Sequence, residues 1–210
     1  MIPDCNLFMM CEHLNKSALS ELPAGYHIRA CRSDELEIWK AIHFDTPSEA
    51  AENHAYMTGF FDRVYAPDGD LFFHRCLFLC DSQDRPVGTC TAWRNFGRAT
   101  TIHWFKILRD CEGKGLGRAL LSEVIRSLSP DDYPVFLHTQ PASFRAIKLY
   151  SDFGFSLLTD TQVGHRSNDL QTALPHLQRI MPEAAFASLR FQKAPEWFLK
   201  AADTVNQSVF

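Results

Sequence analysis

The hydrophobic pattern changes period once, sharply, between Thr100 and Leu128. Thr100–Ile107 is a β-branched and aromatic run. A polar turn follows, with glycines at 113, 115 and 117, and then Leu116, Leu120, Val124 and Leu128 recur every four positions. Leu121 and Ile125 widen that stripe, so the segment predicts strand, glycine turn and amphipathic helix. A second unit follows: strand Val135–Thr139, a break at Pro141, a helix from about Ser143 to Phe153 closed by Gly154, and strand Phe155–Leu158.

Upstream, Tyr26–Arg29 predicts a strand, and Ser33 caps a helix with Leu36, Trp39 and Ile42 or His43 on one face. Thr46-Pro47 interrupts it before a second helix, Glu49–Val64. Strands are expected at Leu71–Cys80 and Pro86–Trp93, joined by a turn at Asp81–Pro86, with another turn at Asn95–Arg98. Ahead of these, Leu7, Met10, Cys11, Leu14, Ala18 and Leu22 form a helical stripe that Pro23 stops. Residues 1–25 are therefore expected as a helical extension, capping its own core or meeting a second copy in a homodimer. After Leu158 a helix is expected over 169–181, flawed by Pro175, then a closing strand Ala184–Phe191 beside Phe155–Leu158 and a short helix Ala194–Ala202. The expected organisation is the extension 1–25, one domain over 26–202, and a tail 203–210.

Composition narrows the class. With 46% apolar and 22% charged residues, 210 residues suffice for one well-buried domain. Net charge is −4 and no basic block appears, which argues against nucleic acid or an anionic membrane as partner. The seven cysteines show no paired zinc spacing, so the reading is buried thiols in a reducing cytoplasm and no metal. No run approaches the ~20 apolar residues of a membrane span, and the N-terminus lacks a signal-peptide pattern. A soluble cytoplasmic protein is the expectation.

The glycine turn carries the chemistry. Without a Cβ the backbone can approach a ligand closely, and the unpaired amides of a helix's first turn favour an anion. A tight strand-to-helix connection would use the same glycines. A P-loop would need Ser or Thr after Lys114, where Gly115 stands; a dinucleotide fingerprint would need glycine at Arg118. The turn resembles the acyl-CoA loop of the GNAT superfamily of N-acetyltransferases, Arg/Gln-x-x-Gly-x-Gly/Ala. Gly115 and Gly117 match and Arg118-Ala119-Leu120-Leu121 continues as in that family, but Glu112 holds the Arg/Gln position. A carboxylate there repels a diphosphate unless it turns to solvent, which places the binding on main-chain amides with Lys114 and Arg118 as charge partners. The segment SFRAIKLYSDFGF is similar to a second family signature: Ala146, Leu149, Tyr150, Gly154 and Phe155 match, and Ser143 replaces the usual Asn.

The resemblance implies an α/β fold with a mixed, mostly antiparallel sheet, splayed central parallel strands and flanking helices. It implies acetyl-CoA as co-substrate and transfer of an acetyl group to a primary amine of a small molecule or a peptide. The implied cofactor-binding residues are Ile107, Gly113, Lys114, Gly115, Leu116, Gly117, Arg118, Ser143 and Tyr150. Amides near Ile107 would polarise the thioester carbonyl, and Tyr150 would protonate the leaving thiolate. His103 is the candidate base: on a regular strand it shares a face with Phe105 and Ile107, and some relatives place histidine at this spacing. His138 is next. The acceptor side would hold Trp39, His43, Phe44, His54, Tyr56, Phe60 and Phe61, an aromatic wall suited to an amine with an apolar part, with Asp45 and Glu52 as ammonium partners. Two other readings stand beside it: a noncatalytic acyl-CoA sensor or partner-binding module on the same fold, and a nucleotide-binding protein.

Overall fold

The structure, a computed structural model, describes residues 5–204. In chain order it begins with β1 (Leu7–Cys11), β2 (Tyr26–Ala30), α1 (Leu36–Ile42), α2 (Pro47–Val64) and α3 (Leu71–Arg75). Next come β3 (Cys76–Asp81), β4 (Pro86–Asn95), β5 (Ala99–Ile107), α4 (Leu116–Arg126), β6 (Val135–Thr139) and α5 (Phe144–Phe153). The remainder is β7 (Ser156–Leu158), β8 (Gln162–Val163), β9 (Arg166–Ser167), α6 (Leu170–Ile180), α7 (Glu183–Ala187), β10 (Phe191–Gln192) and α8 (Glu196–Asp203). Eight strands form one mixed, mostly antiparallel sheet in the order β10-β7-β1-β6-β5-β4-β3-β2. β5 runs parallel to β6, from Thr100 opposite Val135 to Ile102 opposite Leu137.

The chain divides into two compact units, and β5 passes from one to the other after Ile102. The first unit comprises residues 1–19, 94–102 and 129–210. Here β1 pairs antiparallel with β6, Leu7 opposite Thr139, and with β7, Met9 opposite Leu157. Its core includes Phe8, Met10, Phe136, Leu158 and Phe198, with the Phe136 and Phe198 rings stacked at 3.7 Å. The second unit comprises 20–93 and 103–128. It holds β2, β3 and β4 and helices α1 to α4, over a core of aromatic rings. Trp39, Tyr65 and Phe72 are fully buried, and their edge-to-face and tilted contacts lie between 4.6 and 5.7 Å.

Most elements fall where the hydrophobic pattern puts them. α2 opens with the capping box that Thr46 and Glu49 spell, the Thr46 side chain accepting from the Glu49 N–H at 3.2 Å. α4 buries Leu116, Leu120, Leu121, Val124 and Ile125, the predicted stripe. Three readings are corrected. The expected helical extension over 1–25 contains strand β1 in the interior of the sheet, followed by only a 3₁₀ turn at Lys16–Ala18. All five β1 residues are buried, so no alternation marks them, and a short apolar run does not distinguish strand from helix. The expected strand Leu71–Cys80 begins as helix α3, because the Phe72 carbonyl accepts from the Cys76 N–H and the Phe72 ring packs on Trp39. The closing strand shrinks to Phe191–Gln192, parallel to β7, while Glu183–Ala187 is helical. Of the expected tail, residues 205–210 lie outside the described residues.

Gly154 shows how tightly the first unit is built. It closes α5 at φ +106°, and a Cβ there would lie 2.5 Å from the His13 carbonyl oxygen, which is backbone and cannot swing aside. Gly154→Ala is expected to lower unfolding stability by roughly 2–3 kcal/mol, read by urea denaturation; a loss under ~0.5 kcal/mol would contradict this packing.

Candidate active site

Within the second unit, the glycine turn bridges β5 and α4. Gly113 and Gly115 both take left-handed backbone, φ +77° and +80°, which a side chain would strain. A Cβ at Gly113 would meet nothing within 4 Å, and residues 112–115 are exposed. The conformation therefore bends the chain rather than relieving crowding, and it leaves the outer face of the turn open. The first intrahelical amide bond of α4 runs from Ala119 N–H to the Gly115 carbonyl at 3.1 Å. Amides ahead of Ala119 consequently have no acceptor within the helix and face its positive end. Lys114 folds back to donate to the Asp110 carbonyl at 3.0 Å, which keeps its ammonium at the turn. The Glu112 side chain sits on the exposed segment, where water screens it.

β5 is not a regular strand. Trp104 has φ +53°, a rare value for a bulky residue and a local break in the pleat. Its consequence is visible in the neighbours. The rings of both His103 and Trp104 approach Phe60, at 6.2 and 5.1 Å. Consecutive side chains thus meet one helix, and the expected sharing of a face by His103, Phe105 and Ile107 is interrupted. Beyond the break, Ile107 packs over Gly88 of β4. A Cβ on Gly88 would lie 2.5 Å from the Ile107 side chain and 3.0 Å from the Lys106 carbonyl. Gly88 is what lets this end of β5 come down onto β4, and the strand closes with Leu108 N–H donating to the Val87 carbonyl at 2.8 Å.

His103 is 5% exposed, and its Nδ1 lies 2.9 Å from the hydroxyl oxygen of Tyr65 at the end of α2. Tyr65 is fully buried among Trp39, Phe72 and Trp93, and that burial raises its phenol well above the ordinary value, so it stays neutral. A neutral hydroxyl can donate to or accept from the imidazole, and either way it fixes the ring. Sequence reasoning missed Tyr65; as one apolar-patterned residue ending a helix it carries no signal of a partner thirty-eight residues away.

The aromatic wall is present in this unit. Trp104 touches Trp39, His43, Tyr56 and Phe60, with Tyr56 54% exposed at the outer edge. His43 is pulled down to about 3 by burial and then by the Lys106 charge, so it is neutral at pH 7. Asp45 is already engaged: its carboxylate takes Lys106 at 2.8 Å and Arg109 at 2.7 Å. It clasps the α1–α2 connection to the end of β5 and the residues leading into the glycine turn. Glu52 accepts from the Ser48 hydroxyl at 3.1 Å. Between α1 and α2 lies an open cleft of about 460 Å³ lined by Glu37, Lys40, Ala41, Ala50, Ala51 and His54. Glu37 bridges Lys40 and His54 at 2.8 Å each. The cleft shares no lining residue with the glycine turn or His103.

The remaining predicted residues belong to the first unit. Tyr150 is buried on α5, its ring 5.8 Å from Phe155. Ser143 is exposed and stands at the N-cap of that helix. His138 Nε2 donates to the Asn6 amide oxygen at 2.9 Å; burial and then Arg166 pull it down to about 4, which makes it a weak proton acceptor. Back in the second unit, His27, Cys80 and Asp84 offer three metal-ligating atoms within 4.8 Å of one another, a grouping created by the pairing of β2 with β3. Arg29 and Arg32 already hold the two Asp84 oxygens at 2.7 and 2.8 Å, and two guanidiniums oppose a divalent cation there. Among the described residues no helix is long and apolar enough to cross a membrane.

Comparison with known proteins bears on the family and the fold. The family model described as "Acetyltransferase (GNAT) family" matches residues 34–155. A GNAT-family acetyltransferase from Colwellia psychrerythraea superposes with a TM-score of 0.51 at 9% identity, over 75% of this chain and 54% of its own. A GCN5-related N-acetyltransferase-like protein from Streptococcus suis gives 0.50 at 10% identity, over 74% and 59%. A functionally unknown conserved protein from Staphylococcus epidermidis gives 0.51 at 16% identity, over 73% and 57%. At such identities the likeness is one of fold, and this chain spans little more than half the length of each. No curated protein matches the sequence.

The clasp gives a pH signature. Hydrogen bonding from Lys106, together with the charges of Lys106 and Arg109, holds the Asp45 carboxyl below its ordinary value. A depressed folded-state pKa adds stability above the unfolded pKa of ~3.9 and loses it as pH falls through the lower folded value. Asp45→Asn is expected to lower the unfolding midpoint at pH 7 by a loss of at most about 1 kcal/mol, since the pair is partly exposed. Thermal melts should show wild type and variant converging below about pH 3, and a gap that widens there would contradict the assignment.

Proposed function

The chain belongs to the GNAT family of acetyltransferases, and we propose that it moves an acetyl group from acetyl-CoA to a primary amine of a small molecule or peptide by direct attack. The observation that carries this reading is the exposed glycine turn, open on its outer face, at the head of α4, whose N-cap Gly115 supplies no side-chain bond. The first-turn amides and the helix dipole suit a diphosphate, with Lys114 and Arg118 supplying charge at its flank. Bound there, acetyl-CoA supplies an acyl group activated as a thioester. Amides around Ile107 then donate to the carbonyl oxygen as negative charge develops on it, an effect worth on the order of 3 kcal/mol.

His103 takes the proton that the attacking amine must lose, with Tyr65 holding its ring in place. The family signature that Tyr150 matches implies a tyrosine as the proton donor to the departing sulfur. The aromatic wall of Trp104, Tyr56 and Phe60 favours acceptors that carry an apolar or aromatic part beside the amine. With Asp45 committed to Lys106 and Arg109, it is the rings rather than that carboxylate that face the acceptor in this reading.

Glu112, where the family pattern has Arg or Gln, favours a second reading in which the protein binds an acyl-CoA without turning it over. One experiment separates the two. Acetyl-CoA is expected to raise the melting temperature, and a panel of arylalkyl and aliphatic amines should release CoA. Stabilisation without CoA release would support the binding module, and stabilisation by ATP or NAD with none by CoA would support a nucleotide-binding protein. For the best amine, His103→Gln should flatten the alkaline rise of kcat/KM and lower it on the order of 10²-fold; an unchanged pH–rate profile would remove His103 as the base.

A further inference from the structure

Seven cysteines are buried in the second and first units, and two of them, Cys31 just past the end of β2 and Cys76 at the start of β3, are joined by a main-chain hydrogen bond. The antiparallel register of β2 and β3 runs from Tyr26 opposite Asp81 to Ala30 opposite Leu77. One step further it sets Cys31 against Cys76, and the Cys31 N–H donates to the Cys76 carbonyl at 2.8 Å. Continuing the register past Ala30 makes this a hydrogen-bonded antiparallel pair, whose side chains share a face and whose Cα atoms lie ~5.5 Å apart, inside the ~4.4–6.8 Å that a disulfide spans. The Cys31 thiol donates to the Arg32 carbonyl at 3.4 Å and the Cys76 sulfur lies 3.4 Å from the Thr89 hydroxyl, contacts that exchange would have to break. Other cysteines on these strands lack such a partner: Cys80 is opposed by His27, and Cys90 by Leu77.

We infer that Cys31 and Cys76 are a modification site, a thiol pair placed to close into a cross-strand disulfide by exchange with a small-molecule disulfide such as glutathione disulfide. The inference does not rest on the acetyltransferase reading. The Cys31 thiolate attacks one sulfur of glutathione disulfide, forming a mixed disulfide and releasing one glutathione. Cys76 then attacks the Cys31 sulfur, expelling the second glutathione. The two cysteines are oxidised, one glutathione disulfide is reduced, and the two thiol protons end on the two glutathiones.

Access comes from the edge of the sheet. β2 is the last strand in the order, Cys31 directly follows it, and residues 32–34 beyond are exposed. At 3% exposure Cys31 is reached when this edge opens locally, whereas Cys76 is fully buried behind it. The neighbouring Cys76 sulfur and then burial push the Cys31 thiol up, so exchange is slow at neutral pH and quickens as pH rises. The bond would tie the approach to α1 to the end of α3, the two helices whose Trp39 and Phe72 rings meet at 5.0 Å.

The test uses the full chain, equilibrated at pH 8 with glutathione disulfide, quenched with iodoacetamide and mapped by mass spectrometry without reduction. The expected result is one intramolecular link between the peptides of Cys31 and Cys76, loss of two of the seven titratable thiols, and a melting temperature higher by at least about 3 °C, all reversed by dithiothreitol. Cys31→Ser, the change nearer the surface, should abolish the link and the shift while the protein still folds. Glutathione retained on Cys31 with no link, a link through any other cysteine, or no reaction after the edge has been loosened with mild urea would overturn the assignment. The mapping of the unmodified sequence decides the matter even if Cys76→Ser does not fold.

Discussion

A helix must begin somewhere, and its first amides have no carbonyl of their own helix to bond to. Elsewhere a side chain often answers that need; α2 uses Thr46. At α4 the N-cap is Gly115, with no side-chain bond, in left-handed backbone that only the absence of a Cβ makes easy. No side chain of the cap residue covers the positive end of this eleven-residue helix, whose apolar stripe is engaged in the core. An anion is the partner this constraint suits, and under the proposed function it is the diphosphate of CoA.

The strand leading into that turn is distorted in a way that serves the same end. Trp104 breaks the pleat, Gly88 admits Ile107 and Lys106 close above β4, and Asp45 ties Lys106 and Arg109 to the connection between α1 and α2. These three features concern one short stretch, His103 to Arg109. They set the imidazole against Tyr65 and fix the approach to the glycine turn at both ends. A positive φ at tryptophan costs of order 1–3 kcal/mol, and such strain persists only where packing over-determines it; the ring contacts of Trp104 with four aromatic neighbours provide that packing.

Local signals were legible in the amino-acid sequence where one residue type has one physical use. Gly115 ahead of a four-residue stripe and Gly154 after Phe153 each announce a helix end and stand where they were expected, whereas Thr46 with Glu49, read only as an interruption, is the capping box that starts α2 at Pro47. β1 was illegible because burial on both faces erases alternation, and LFMMC satisfies a helical spacing as readily as a strand. α3 was misread for a similar reason: Leu71-Phe72-Phe73 looks like strand by composition, and only its packing on Trp39 makes it helical. The site divides in the same way. The glycine turn could be found from spacing, but Tyr65 beside His103, Gly88 beneath Ile107 and Asp45 between two cations are long-range contacts without a sequence mark. Asp45 in particular was read as open to an ammonium, and its two oxygens are already taken.

The most direct measurement is the response of individual backbone amides. With the protein labelled in ¹⁵N, titration with CoA should shift the Gly115, Leu116 and Gly117 amide resonances strongly and saturably. Pantetheine, which lacks the diphosphate, should leave them in place. Unmoved amides in saturating CoA, or equal shifts from pantetheine, would show that the head of α4 does not hold the diphosphate and would contradict the account.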